Sequence, residues 1–282
     1  MRVLLKYLRC GATAGVLLIH YWFWRFRKYC KHADKYPLEF RWVKIRQAAI
    51  HIIAQFHSDI DFQHVERLKE AMADPRGCIL VGNHLSIFDM LTLMAVCEKP
   101  VTFIAKKELL KTPLLGKATR SIDALFLDRD DPRQAIKVMQ ISSEQARNGG
   151  FIGVFPEGTR NKDPENTPVA DFHPGSLKVA LRGEANILCF AEYGTFRYLA
   201  GPTNFKSNLI QFNFLPLIRY EEIKDKNTKE LADITYKLIN DEVTRMKEVD
   251  KQYIAEGRHK KKHAKWWKEN PYVASAFKED EK

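Results

Sequence analysis

The sequence is poor in several things that would mark other classes of protein. Its five cysteines (Cys10, Cys30, Cys78, Cys97 and Cys189) are scattered, and no pair has metal-ligand spacing. That argues against a cysteine metal site, offers no disulfide framework, and points to a reducing compartment. The uncharged run from Cys10 to Trp24 is 15 residues long, short of the roughly 20 that a spanning helix needs. Recognition-helix, zinc-finger and stacking-sheet signatures are missing, so nucleic acid is not an expected partner. Internal repeats and long low-complexity tracts are missing too.

What is present is a chain of 282 residues, 45% hydrophobic, long enough to bury one large core or two modest ones. Its net charge of +11 suits phosphate-bearing partners. Charge alone does not choose among them, but basic residues lie beside aromatics at both chain ends, which favours an anionic membrane surface. Arg2, Lys6 and Arg9 precede the first apolar run, as in a signal peptide. The run ends in Tyr21-Trp22-Phe23-Trp24 and then Arg25, Arg27, Lys28 and Lys31, with no small-residue cleavage site, so it is expected to be retained. A buried helix of a soluble protein is the alternative. From Leu38 to Phe56, Phe40, Val43, Ile50 and Ile53 alternate with Arg41, Lys44 and Arg46, the pattern of an in-plane interfacial helix. Asp59-Ile60-Asp61 reads as a turn. Near the other end, Arg258 to Lys268 is a basic run ending in two tryptophans, read as a second membrane contact.

Between the ends, apolar runs alternate with helical ones. Candidate strands are 78–81, 101–105, 122–127, 151–155, 187–191 and 209–215. Asp131-Pro132 opens a helix that Asn148-Gly149 closes, with Ile136, Met139 and Ile141 expected to be buried. One helix is expected over 228–248. The alternation predicts an α/β domain with a mostly parallel central sheet flanked by helices. It is preceded by an N-terminal membrane-docking helical pair. The expected division is 1–60 for those helices, 61–250 for the α/β domain and 251–282 for a basic tail.

The chemistry is expected at strand ends. Asn83-His84-Leu85-Ser86-Ile87-Phe88-Asp89 follows the apolar run Cys78 to Val81 and precedes a helical run. Ligands tend to bind at that edge of an α/β sheet. A carboxylate beside an imidazole fixes one tautomer and leaves the other nitrogen free to take a proton. The same spacing also fits a helix start, with Ser86 as N-cap and Asp89 at N3. Phe155-Pro156-Glu157-Gly158-Thr159-Arg160 follows the strand Phe151 to Val154 in the same way. Arg160 can clamp a phosphate, and Glu157 can accept from a hydroxyl or orient the arginine. A structural turn with a surface ion pair is the bland alternative. Lys106 and Lys107, and Asp128-Arg129, end two further strands. If the strands are parallel, all of these gather on one edge.

These blocks resemble those of the glycerolipid acyltransferases of the lysophosphatidate (1-acylglycerol-3-phosphate O-acyltransferase) type. NHLSIFD at 83–89 resembles the NHxxxxD block, and FPEGTR at 155–160 agrees in full. FIAKKELLKTPLLG at 103–116 and FHPGSLKVA at 172–180 resemble the connecting segments, and the likeness covers roughly residues 60 to 220. Two departures stand out. Asp123 occupies the place where the family usually has glycine, and Ile187-Leu188-Cys189-Phe190 lacks the usual proline.

The resemblance implies His84 as general base and Asp89 as its orienting partner. It implies Arg129, Glu157, Gly158, Thr159 and Arg160 around the glycerol phosphate, with Lys106 as helper. No bound cofactor or metal is implied. The co-substrate would be an acyl-coenzyme A or acyl carrier protein thioester, and the acceptor lysophosphatidic acid among membrane lipids. The protein would be membrane-associated with its active site on the cytoplasmic side. Transfer to glycerol 3-phosphate or another lyso-lipid, hydrolysis, and a non-enzymatic membrane-surface role are the competing readings.

Overall fold

A computed structural model describes residues 27–32, 34–56, 58–112, 115–128, 130–198, 208–258 and 266–277, with the single residues 12, 16 and 19. Apart from those single residues the first apolar run lies outside the described residues, as do Arg129 and most of the basic run after 258. Trp266 and Trp267 fall in a short helix, but their side chains lie outside too. No described helix is long and apolar enough to cross a membrane.

Seven strands form one sheet: β1 (Ser58–Gln63), β2 (Cys78–Gly82), β3 (Val101–Lys106), β4 (Leu125–Leu127), β5 (Phe151–Val154), β6 (Asn186–Tyr193) and β7 (Asn208–Ile218), in the order β1-β7-β6-β2-β5-β3-β4. From β6 to β4 every neighbouring pair is parallel; β7 runs antiparallel to β6 and parallel to β1. The five parallel strands therefore present their carboxyl ends on one edge, as the strand-end motifs require. Helices cover both faces, and β2 shows why its apolar run is continuous. Cys78 and Leu80 enter one hydrophobic layer, while Ile79 and Val81 enter the other.

One layer is covered by α1 (Leu38–Gln55), α2 (Val65–Ala73) and α3 (Phe88–Val96). Opposite lie α5 (Pro132–Arg147), α6 (Lys178–Arg182) and the long α7 (Thr228–Ala255); a short α4 (Leu115–Ser121) precedes β4. Asp131 caps α5 by accepting from the Arg133 and Gln134 backbone N–H groups, and Asn227 caps α7 in a capping box with Glu230.

Four sequence expectations need correction. Asp59-Ile60-Asp61 is not a turn but the middle of β1, where Ser58, Ile60 and Phe62 are buried and the residues between them less so. The strand crosses the boundary expected at residue 60.

In α1, Arg41 and Arg46 are buried and do not form a basic outer face, whereas Phe40 is 59% exposed. The reason is that α1 packs on α3, where Trp42 Nε1 donates to the Cys97 carbonyl at 2.9 Å and Arg46 to the Ala95 carbonyl at 3.2 Å. These donors satisfy carbonyls that the end of α3 leaves open.

In α5, Ile136 and Ile141 are exposed, Met139 is partly buried, and the buried stripe is Val138, Ser142, Ser143 and Ala146. Small residues are needed there because the backbone passes close to the end of α6. A Cβ at Gly183 would lie 2.9 Å from the Ser143 carbonyl oxygen.

The strand expected over 122–127 shortens to 125–127. Asp123 turns the chain with φ 52°, a left-handed conformation that glycine adopts freely and that aspartate tolerates better than most residues. This accounts for the glycine usual at that place. The Asp123 carboxylate, in turn, takes a bidentate pair from buried Arg41, at 3.1 and 2.6 Å.

Candidate active site

The end of β2 is fixed before the site begins. A Cβ at Gly82 would fall 2.1 Å from the Phe190 ring, so only glycine lets β2 pass β6 at that point. Asn83 then locks the two strands: its side chain donates to the Glu192 carbonyl and accepts the Glu192 N–H, each at 2.9 Å. His84 leaves the sheet there, and the chain curls back through Ser86 into α3.

Asp89, in the first turn of α3, is fully buried, while the His84 side chain keeps 19% exposure. Oδ2 of Asp89 accepts from His84 Nδ1 at 2.8 Å and from the Leu85 and Ser86 backbone N–H groups at 2.7 and 2.8 Å. Oδ1 accepts from the Thr195 hydroxyl at 2.6 Å. An acceptor on that side puts the imidazole hydrogen on Nδ1 and leaves the Nε2 lone pair open. Ser86 and Asp89 therefore serve the helix start and the dyad together; Ser86 Oγ accepts from the Phe88 N–H at 3.3 Å.

The second motif leaves β5, which is hydrogen-bonded to β2 with Val81 opposite Val154. The two turns consequently touch. The Phe155 ring stacks on the imidazole at 4.5 Å, and Asn161 N–H donates to the His84 carbonyl at 2.7 Å. Gly158, at φ 65°, closes the turn with its N–H on the Phe155 carbonyl.

The Glu157 carboxylate is buried and accepts the His84 N–H at 2.6 Å and the Ala170 N–H at 3.0 Å, so it braces both stretches of backbone. Burial pushes this carboxyl up to about 7, although both backbone donors favour its charged form.

Thr159 and Arg160 are exposed, and Arg160 is one residue from Asn161, which is bonded to His84. Lys106 is exposed at the end of β3, opposite Leu127 of β4. Among the described residues neither Arg160 nor Lys106 has an acidic partner. Lys107, by contrast, is occupied by an ion pair with Asp128. No group of three or more His, Cys, Asp or Glu among the described residues is placed to hold a metal ion.

Sequence reasoning gave no role of their own to Asn83 and Phe155, which open the two motifs, and did not single out Thr195 or Glu192. The Thr195–Asp89 and Asn83–Glu192 partners lie 106 and 109 residues apart, beyond any local pattern. Glu192 is fully buried beside the dyad, and burial, then the Asp89 charge, pushes its carboxyl well above the usual range.

Residues 60–191 match the Acyltransferase family, a span that holds both motifs. Over that span the chain resembles the family. It is 29% identical over 157 residues to the 1-acyl-sn-glycerol-3-phosphate acyltransferase of Borreliella burgdorferi, across 55% of this chain and 62% of that one. The alpha form from Ovis aries is 31% identical over 158 residues, across 55% and 54%. The match thus spans about three fifths of the bacterial relative. The crystal structure of the 1-acyl-sn-glycerophosphate acyltransferase from Thermotoga maritima superposes with a TM-score of 0.69 at 22% identity, covering 87% of this chain and 96% of that one. It bears on the fold, which here is the same mostly parallel, helix-covered sheet.

Proposed function

We propose that this protein transfers a fatty acyl group from an acyl thioester to the sn-2 hydroxyl of lysophosphatidic acid, giving phosphatidic acid. The observation that carries the reading is the His84–Asp89 pair at 2.8 Å, set on adjacent strand ends with the FPEGTR turn. The names of the matched relatives agree with it.

In this mechanism His84 Nε2 takes the proton of the acceptor hydroxyl as its oxygen attacks the thioester carbonyl. The carbon–sulfur bond then breaks, and the thiolate leaves with the proton returned from the imidazolium. Asp89 stabilises the imidazolium meanwhile. No serine or cysteine is hydrogen-bonded to the His84 side chain among the described residues, consistent with direct transfer. Arg160, with Lys106 and Arg129, holds the acceptor phosphate so that its hydroxyl meets the imidazole, and Gly158 and Thr159 shape the turn beneath it. Positioning of this kind contributes several kcal/mol, of order 7–11 at best. The donor is acyl-coenzyme A or acyl carrier protein.

The protein works at a membrane surface, with the site on the cytoplasmic side. Supporting this are the +11 charge and the exposed Phe40, whose ring lies against half-buried Tyr36. Beside that pair stand the exposed cations Arg27, Lys28 and Lys31.

The test is turnover of purified protein with lysophosphatidic acid, glycerol 3-phosphate and other lyso-lipids against both thioesters, products read by mass. Phosphatidic acid formation, lost in His84→Ala with the thermal midpoint kept, is the expected result. Acylation of another acceptor alone, release of free fatty acid, or a fully active His84→Ala would overturn it. Sedimentation with anionic vesicles tests the membrane reading; protein left in the supernatant refutes it.

A further inference from the structure

Asp89 is held very unevenly. Every donor to Oδ2 comes from its own turn: the His84 ring and the Leu85 and Ser86 backbone. Oδ1 receives only the Thr195 hydroxyl among the described residues, at 2.6 Å, from the far end of β6. Glu157, Glu192 and Tyr198 are the other titratable groups whose charge is felt with that of Asp89, and none donates to Oδ1.

Thr195 itself has little freedom. Gly194 before it takes φ 106°, and a Cβ there would meet the Leu209 carbonyl oxygen at 2.8 Å. After it, Arg197 makes a bidentate pair with Asp250 of α7, and the Tyr198 ring stacks on Phe88 at 4.1 Å. Phe88 is the residue before Asp89. The loop is therefore clamped to the helix start it serves.

We infer that Thr195 is a positioning residue completing a hydrogen-bonded relay, His84–Asp89–Thr195. The inference rests on His84 being the base. Oδ2 alone would let the carboxyl plane turn about its own axis; a second donor on Oδ1 fixes that plane and therefore the direction in which the imidazole presents Nε2. The hydroxyl also favours the charged carboxylate, which the imidazolium needs opposite it as the proton arrives.

The experiment uses the full chain with acyl-coenzyme A and lysophosphatidic acid, comparing Thr195→Val, Thr195→Ser and His84→Ala. Loss of a hydrogen bond to a charged group predicts a fall in kcat of about tenfold or more for Thr195→Val. Both KM values should stay within about twofold, because no substrate contact is removed. Thr195→Ser, which keeps the hydroxyl, should return kcat to within about threefold of the parent. Wild-type kcat in Thr195→Val with His84→Ala inactive overturns the relay and spares the base. A serine variant as impaired as the valine variant, or a loss appearing in KM, overturns it equally. Turnover persisting in His84→Ala removes the base assignment, and this inference with it.

Discussion

The Glu157 carboxylate accepts the His84 backbone N–H at 2.6 Å, so the turn proposed to hold phosphate also holds the proposed base in place. The two strand-end motifs of this chain are one unit joined by a side chain that does not reach solvent. Glu157→Gln keeps the shape but presents an N–H₂ to one of two backbone donors. It should lower stability by about 1–3 kcal/mol and kcat with it. The pH dependence carries a sign. With its ordinary value at 4.5 and a folded value of about 7, the native state keeps the Glu157 proton where the unfolded chain has lost it. Its contribution is thus full below pH 4.5, falls as pH rises to about 7, and is level beyond. Urea unfolding across that range should show a steeper decline in the parent than in Glu157→Gln, the difference being the Glu157 part.

Arg160 and Glu157 share a turn but not a role, and kinetics should separate them. Arg160→Ala removes an exposed cation without disturbing the brace. The acceptor KM should rise about tenfold or more, with kcat held within about threefold and stability unchanged. An unchanged KM would remove Arg160 from the phosphate site.

What was legible in the sequence depended on how near the partners lie along the chain. His84 and Asp89 are five residues apart, and the FPEGTR turn directly follows an apolar strand, so local patterns together with the resemblance they carry singled out both. The parallel alternation of strands and helices was equally local. Thr195 and the Glu157 brace were not legible because each acts on a partner 106 or 73 residues away. Arg41 and Arg46 read as surface cations because charge is ordinarily solvated. Their partners, Ser121, Asp123 and Ala95, are supplied only by the fold. The strand at Ser58–Gln63 does carry period-two burial, but two aspartates in its less buried positions imitate a turn.

The Arg41–Asp123 pair joins α1 to the turn before β4, and it makes a stability prediction with two parts. Removing the carboxylate leaves a buried guanidinium held by the Ser121 carbonyl at 2.7 Å. Loss of one partner of a buried pair costs about 3–5 kcal/mol; with Asp123 44% exposed, about half of that is expected. The left-handed backbone adds a second difference. Asp123→Gly should be about 1 kcal/mol more stable than Asp123→Ala, because glycine meets no Cβ penalty at φ 52°. Denaturant midpoints of the two variants, set against the parent, separate the ion pair from the backbone.

Glu192 presents the opposite problem, a carboxyl with little to hold its charge. The side chain is fully buried beside Asp89, neither oxygen meets a donor at hydrogen-bond geometry among the described residues, and only the nearby Thr92 side chain favours the charged form. Burial first, and the Asp89 charge second, push its carboxyl well above the ordinary 4.5, so the folded protein holds it neutral. The linkage runs in one direction: Glu192 favours the folded state fully below pH 4.5 and progressively less as pH rises through its folded value. Glu192→Gln is neutral throughout and lacks that decline. The gap in unfolding free energy between Gln variant and parent should therefore move in favour of the variant as pH increases. A gap that stays flat from pH 4.5 to the alkaline limit of folding would mean that Glu192 is ionised in the native protein, with its charge compensated.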